Sequence, residues 1–217
     1  MAVKNLQKAI DESFGEVIFS TNEMVIAQCY KEDISGKALK NSATQGSIVK
    51  VISSYDTSHA AFGLVAKINN SSLDNIHKPS ALGLSFKELA ELQPQVYDLL
   101  RKELEIYLFA HQDQDNQIVN YPPAKPMMIH DFVYTAQDKE ILELTNDFSS
   151  LINLIKRNQL KLDLLINLIM QGYKLRNNNE SYLINIGKAL SLAFSDEVES
   201  LIVVLKRLSQ NKEKSNK

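Results

Sequence analysis

The spacing of apolar residues changes once along this chain of 217 residues, and that change constrains the fold more than any motif does. Between residues 15 and 68, short β-branched and apolar runs alternate with turn residues, a pattern that predicts strands. Beyond Thr135, apolar residues recur at the spacing of amphipathic helices. The sequence therefore predicts an α+β fold, with a small N-terminal β-barrel followed by a C-terminal α-helical bundle.

The barrel prediction rests on several short strands, because a short strand with one apolar face needs a second sheet or a closed barrel to cover it. The first two strands are expected to meet at a hairpin turn over residues 21–23. Gly63 lies inside a later strand, where glycine is typical of a bulge or a sharp bend. Cys29 lies in the second strand and is expected to be a buried, unreactive thiol.

A helical insert is predicted to interrupt the strands. Ser85 and Glu88 have the spacing of a capping box, in which each side chain accepts a hydrogen bond from the other residue's backbone amide. Pro94 suits the first turn of a second helix, which is expected to continue to Glu103. Strands are expected to resume after this insert.

The C-terminal region is predicted to contain only helices. Thr135 is expected to cap the first of them, and residues 160–175 carry two apolar sides, which is typical of a central helix in a bundle. The last helix is expected to begin at Ser195, with Lys206 and Arg207 near its C-terminal end, where cations are favoured. Its buried side is predicted to contain Val198, Leu201, Ile202, Leu205 and Leu208.

These elements divide the chain into three predicted parts. Residues 14–134 form the β domain, with the helical insert at 85–103. Residues 135–210 form the helical domain, and residues 211–217 are expected to be a disordered tail.

Composition narrows the classes of function. The formal net charge of -2 lacks the basic excess that a dedicated nucleic-acid-binding protein uses to neutralise phosphates. The single cysteine excludes an intramolecular disulfide and a cysteine-based zinc site. No apolar run is long enough for a membrane span, and the N-terminal residues lack the apolar segment of a signal peptide. The expected location is the cytoplasm, or an organelle stroma or matrix if the chain is organelle-encoded.

Motifs that carry chemistry are incomplete. Gly36 and Lys37 match only the end of a phosphate-binding loop, and the polar turn that starts at Asp113 lacks the glycine and the final acid of a calcium loop. We therefore predict no catalytic, cofactor-binding or metal-binding residue, no cofactor, and no enzymatic activity. The alternative is a site assembled by folding from distant residues, for which His111, His130 and a carboxylate would have to lie close together.

Two short segments are candidates for contact with a partner. Tyr121, Pro122, Pro123 and Pro126 resemble a polyproline ligand for an aromatic groove, although a stiff connector between barrel and helices explains them more simply. Lys206 and Arg207 would suit an acidic partner or nucleic acid, and the simpler interpretation is the favourable cationic end of a helix.

Several segments together resemble a known family. The N-terminal strands are similar to those of the HAS-barrel. The similar segments are residues 15–17 (Gly-Glu-Val), the pair Ser20-Thr21, residues 46–50 (Gly-Ser-Ile-Val-Lys) and residues 63–65 (Gly-Leu-Val). That small barrel lies at the N-terminus of HerA-type DNA-translocating ATPases and of the α and β subunits of rotary ATP synthases. Four later segments resemble stand-alone HAS-barrel proteins of cyanobacterial type, which consist of a barrel and a helical tail. These segments are residues 79–83, 92–95, 121–123 and 129–134.

The resemblance implies an assembly role without motor activity, because this chain has no ATPase core. We expect a non-catalytic protein-interaction or assembly module, either an accessory subunit of a HerA-like ATPase or a component of another complex, with a protein partner or self-assembly. The alternative is a nucleic-acid-binding small barrel, which is less favoured. Its platform would use four aromatic and three basic residues, namely Phe19, Tyr30, Tyr55, Phe62, Lys31, Lys50 and Lys67.

Overall fold

A computed structural model describes residues 12–31, 43–56, 58–74 and 80–215. Seven strands lie in the described part: β1 (Gly15–Ser20), β2 (Met24–Cys29), β3 (Ile48–Ile52), β4 (Ala60–Ser72), β5 (Leu100–Gln112), β6 (Ile118–Val119) and β7 (Phe132–Thr135). Their antiparallel order is β2-β1-β7-β3-β4-β5, and pairing between β2 and β5 closes these six into a barrel, while β6 extends β5 as a hairpin. The predicted α+β class with a β-barrel is confirmed.

Two local features of the barrel agree with the sequence. Thr21 N–H donates to the Met24 carbonyl at 2.8 Å and so closes the predicted hairpin between β1 and β2. The pairing of β4 with β5 shifts register between Phe62 and Gly63, which is the predicted bulge. A Cβ at Gly63 would collide with the Ile106 side chain, so the close approach of the two strands requires glycine there.

The interior of the barrel is apolar and includes residues from all six strands. On β3, Val49 and Val51 face this interior, whereas Ile48 faces the other way and joins a second core outside the barrel. This alternation is the period-two pattern of a strand that is buried on both faces. The chain therefore has an inner core, and an outer core between the barrel wall and the helices.

The insert contains two short helices, α1 (Phe86–Leu92) and α2 (Pro94–Leu99). The capping box between Ser85 and Glu88 is present, and Pro94 lies in the first turn of α2, as predicted. The predicted end of α2 at Glu103 is wrong, since β5 begins at Leu100. Residues 100–103 pair with residues 69–72 of β4, and this long-range ladder overrides their local helical preference.

Five helices follow the barrel: α3 (Asp138–Leu144), α4 (Ser149–Arg157), α5 (Leu162–Leu175), α6 (Glu180–Ala193) and α7 (Val198–Ser215). The two apolar sides predicted for α5 are confirmed, because it buries eight of its fourteen residues and touches each of the other four helices. The cap of α3 differs from the prediction. Gln137 and Glu140 form a capping box there, whereas Thr135 ends β7.

The helices cover the outer wall of β3, β4 and β5. Ile48, Phe62, Leu64 and Phe109 point outward from these strands into the core that α3 to α7 supply. Each such large side chain contributes about 2 kcal/mol when it is fully buried, so this contact joins helices and barrel firmly.

The last helix differs most from its prediction. It begins at Val198 and not at Ser195, and it extends to Ser215, past residue 211, where a disordered tail is expected to begin. Val204 and Leu208 are buried and Leu201 is half-buried, but Val198, Ile202 and Leu205 of the predicted buried side are exposed. Within the described ranges, every helix is too short or too polar to cross a membrane. Gly36 and Lys37 lie outside the described residues.

Candidate functional site

The exposed apolar side of α7 is the strongest candidate for a functional surface. Val198 and Ile202 are each 58% exposed and Leu205 is 41% exposed. Their spacing of four and three residues places them on one side of a helix. We call these three residues the α7 face. Apolar side chains aligned in this way are typical of a surface that another chain covers.

The opposite side of α7 is fixed to the rest of the molecule. Val204 and Leu208 pack into the outer core, Arg207 pairs with Asp163 of α5, and Lys212 Nζ lies 2.7 Å from a carboxylate oxygen of Glu180 on α6. The hydrogen bond to Glu180 raises the pKa of Lys212. These contacts orient the helix, so the α7 face points away from the core.

The junction between α6 and α7 is also held in place. Lys156 of α4 donates to the Ala193 carbonyl at 2.7 Å and pairs with Glu197 at 2.8 Å, and its Nζ lies 5.0 Å from the centre of the Phe194 ring. Phe194 is buried, whereas Leu192 beside it is 80% exposed. The start of α7 is therefore anchored while an apolar side chain next to it remains open to solvent.

Charges flank the α7 face along one edge. Glu199 and Lys206 are both exposed and are seven residues apart, which places them on the same side of the helix, one turn before and one turn after Ile202. The arrangement carries a negative charge towards the start of the helix and a positive charge towards its end. It is complementary to a copy of itself that runs in the opposite direction.

The structure places the predicted proline-rich segment against the barrel and α4. Tyr121 is exposed, and its carbonyl lies 2.8 Å from His111 Nδ1. Tyr121 and Pro122 line a groove of about 180 Å³ beside α4. Pro123 is buried and Pro126 is exposed. A partner would therefore reach Tyr121 and Pro126 but not Pro123.

The two predicted basic residues on α7 are both exposed, but they differ in their contacts with the rest of the chain. Lys206 is exposed on the edge of the α7 face. Arg207 instead takes part in the ion pair with Asp163, so it stabilises the attachment of α7.

His111 and His130 do not come together around one carboxylate, as a catalytic site assembled from distant residues would require. His130 Nδ1 lies 2.9 Å from Glu16 Oε2, and the other oxygen of Glu16 accepts a hydrogen bond of 2.8 Å from the Tyr30 hydroxyl. Burial is the main cause that raises the pKa of Tyr30 to about 12, so this hydroxyl stays protonated. His111 instead forms a hydrogen bond with the Tyr121 carbonyl and is not part of this chain of contacts.

The aromatic and basic residues proposed for nucleic-acid binding are largely engaged within the chain. Phe62 is buried, and Tyr30 is bonded to Glu16. Two of the lysines form ion pairs at 2.8 Å, Lys31 with Asp98 and Lys50 with Glu140. Four of the seven candidate residues are thus buried or bound to other side chains of the chain. Among the aromatic candidates, Phe19 and Tyr55 remain exposed.

The α7 face was missed from the sequence for an identifiable reason. Residues 198–208 contain seven apolar residues, which cover a wider arc of the helix than one packing partner can bury. This excess of apolar residues was the sequence signal that part of the helix would stay exposed.

Comparison of the chain with models of known protein families finds no match, and a search of curated proteins finds no similar sequence.

Proposed function

We propose that this chain is a non-catalytic assembly module that pairs with a second copy of itself through the α7 face. The observation that carries the proposal is the exposure of Val198, Ile202 and Leu205 on a helix whose other side is firmly anchored. Burial of three such side chains against an identical set removes apolar surface from water on both copies.

The charges favour a second copy, in antiparallel orientation, over another occupant. If a two-fold axis passes close to Ile202, Glu199 of each copy lies next to Lys206 of the other. Two-fold symmetry is the commonest symmetry of protein oligomers, and it repeats this favourable contact twice. In a parallel two-fold pair the charged edges of the two helices lie on opposite sides of the contact, so neither charge gains this partner.

The proposal extends to a larger assembly. The resemblance to HAS-barrels supports a role as an accessory subunit of a HerA-like ATPase or of another complex, with α3 to α7 acting as a helical bundle that carries the contact surface. Such a role would place the chain in the cytoplasm, or in an organelle stroma or matrix if it is organelle-encoded.

Solution mass tests the proposal, with two adjacent positions of α7 as a matched pair. The chain of 24.5 kDa should double its mass at micromolar concentration in light scattering or sedimentation. Ile202→Asp should abolish the dimer, because it places a charge at the centre of the buried contact. Val203→Asp makes the same kind of change at a residue that is 41% exposed and lies on a different side of the helix, and it should leave the dimer intact.

A wild-type chain that is monomeric at concentrations up to about 100 µM would overturn self-pairing, since a specific interface of useful size binds more tightly than that. Equal effects of the two substitutions on a dimer would show that a different surface forms it.

A further inference from the structure

A cavity of about 500 Å³ lies between one end of the barrel and the α1–α2 insert. Its walls come from the end of β2, the end of β4, the start of β5 and both helices of the insert. The insert is tied down on this side, because Leu73 N–H donates to the Leu99 carbonyl at 2.8 Å and Lys31 Nζ donates to the Asp98 carboxylate at 2.8 Å. The volume is within the range of sites for small organic molecules.

Aromatic rings form part of the lining. Phe14 and Tyr97 are buried, and Phe86 is 55% exposed. The rings of Phe86 and Tyr97 meet edge to face, with their centroids 5.1 Å apart. Rings in this arrangement favour a flat aromatic ligand, which gains specific contacts beyond the burial of its surface.

The charged residues of the lining are all cationic. Lys31, Arg101 and Lys102 line the cavity, and its described lining contains no carboxylate. The Arg101 guanidinium donates to the carbonyls of Asp98 and Leu100, at 2.7 and 2.8 Å, which positions it without neutralising its charge. Of the three cations, Lys31 has an anionic partner, Asp98, whose side chain is 72% exposed. The cavity therefore favours an anionic group.

We propose that this cavity binds a small aromatic carboxylate, with the aromatic ring against Tyr97 and Phe86 and the carboxylate beside Arg101 and Lys102. Arg offers paired donors that match a carboxylate, and the apolar lining raises the strength of that contact. The lining includes no residue of α7, so the site is separate from the surface proposed for assembly.

Cys29 gives the site a specific readout. The prediction that this thiol is buried is wrong, because Cys29 is half-buried and lines the cavity. It is the one cysteine in the sequence, so alkylation by iodoacetamide reports on this position alone. The full chain is treated with iodoacetamide with and without 2-naphthoate, and modified protein is followed by mass spectrometry. At a naphthoate concentration about ten times the Kd, alkylation should slow about tenfold, because the bound fraction is protected. The neutral analogue 2-naphthalenemethanol should protect less at the same concentration.

Lys102→Gln and Lys67→Gln separate recognition within the cavity from general charge effects. Lys67 is exposed on β4 outside the lining, so both changes remove one positive charge. Lys102→Gln should weaken naphthoate binding about threefold to tenfold, and Lys67→Gln by less than about twofold. Absence of Cys29 protection in the wild-type chain would overturn the proposal. Equal weakening by both substitutions would also overturn it, because it would mean that the overall field attracts the anion.

Discussion

Lys50 on β3 and Glu140 on α3 form an ion pair of 2.8 Å that links the barrel wall to the helices, with side chains only 18% and 15% exposed. Glu140 has a second role, since its other oxygen accepts a 2.8 Å hydrogen bond from the Gln137 amide and so caps its own helix. Lys50 also lies 5.4 Å from the centre of the buried Phe62 ring. One carboxylate therefore starts α3 and fixes it against the barrel.

This double role predicts an unequal response to substitution. Lys50→Ala should lower the free energy of unfolding by about 1–3 kcal/mol, because it leaves a largely buried carboxylate without its cation. Glu140→Ala should cost about 1 kcal/mol more, because the helix cap is lost as well. Urea unfolding measures both values. The matched control is Lys87→Ala, which removes a pair with Glu91 whose side chains are 72% and 55% exposed. That change should cost less than about 0.5 kcal/mol. Equal costs at Lys50 and Lys87 would contradict the prediction.

Two helical glycines provide a second prediction with an internal control. A Cβ at Gly172 in α5 would collide with the Tyr182 hydroxyl of α6, whereas a Cβ at Gly187 in α6 would meet no atom within 4 Å. Gly172→Ala should therefore destabilise the chain by about 1–3 kcal/mol through overpacking. Gly187→Ala should stabilise it by about 0.5–1 kcal/mol, because alanine is the better helix former. Thermal unfolding distinguishes the two, and stabilisation by both substitutions would mean that α5 and α6 are not packed closely at this point.

Tyr182 predicts sensitivity to alkaline pH. Its side chain is almost fully buried, and burial raises its pKa from 10.0 to about 12. Because the folded-state pKa is the higher one, the stabilisation is present in full below pH 10 and is lost between pH 10 and about 12. At pH 11 the loss should be about 1 kcal/mol. Tyr182→Phe cannot ionise, so its stability should fall less steeply between pH 9.5 and 11 in urea titrations. Parallel curves for variant and wild type would show that this hydroxyl is not the group responsible.

The features that the sequence predicted correctly depend on few neighbouring residues. Ser85 and Glu88 cap a helix through their own backbone amides, and Pro94 sets the first turn of the next helix without help from elsewhere. Gly63 signalled a close approach because the absence of a side chain is informative wherever the partner strand lies. Local stereochemistry is sufficient in each case.

The features that were missed depend on distant partners. Leu100 begins a strand because it lies opposite Ser72 of β4, and Cys29 lines a cavity because the insert folds over the end of its strand. The sequence also showed that Val198, Ile202 and Leu205 belong to an apolar stripe, but not that α5 and α6 cover only its other edge. Placement of the candidate sites required the tertiary arrangement.

The charges beside the α7 face give the last prediction, which tests the orientation of the proposed pair. In an antiparallel pair, Glu199 of one copy meets Lys206 of the other, so Lys206→Glu creates two repulsive contacts. The dimer should then dissociate about tenfold more readily in sedimentation experiments at low salt, and less so at high salt, because these side chains are exposed. The exchange of both residues, Glu199→Lys with Lys206→Glu, restores opposite charges across the interface and should restore the dimer. A parallel pair would not be weakened in this way by the single change, nor rescued by the exchange, because the charged edges of the two helices would lie on opposite sides of the contact.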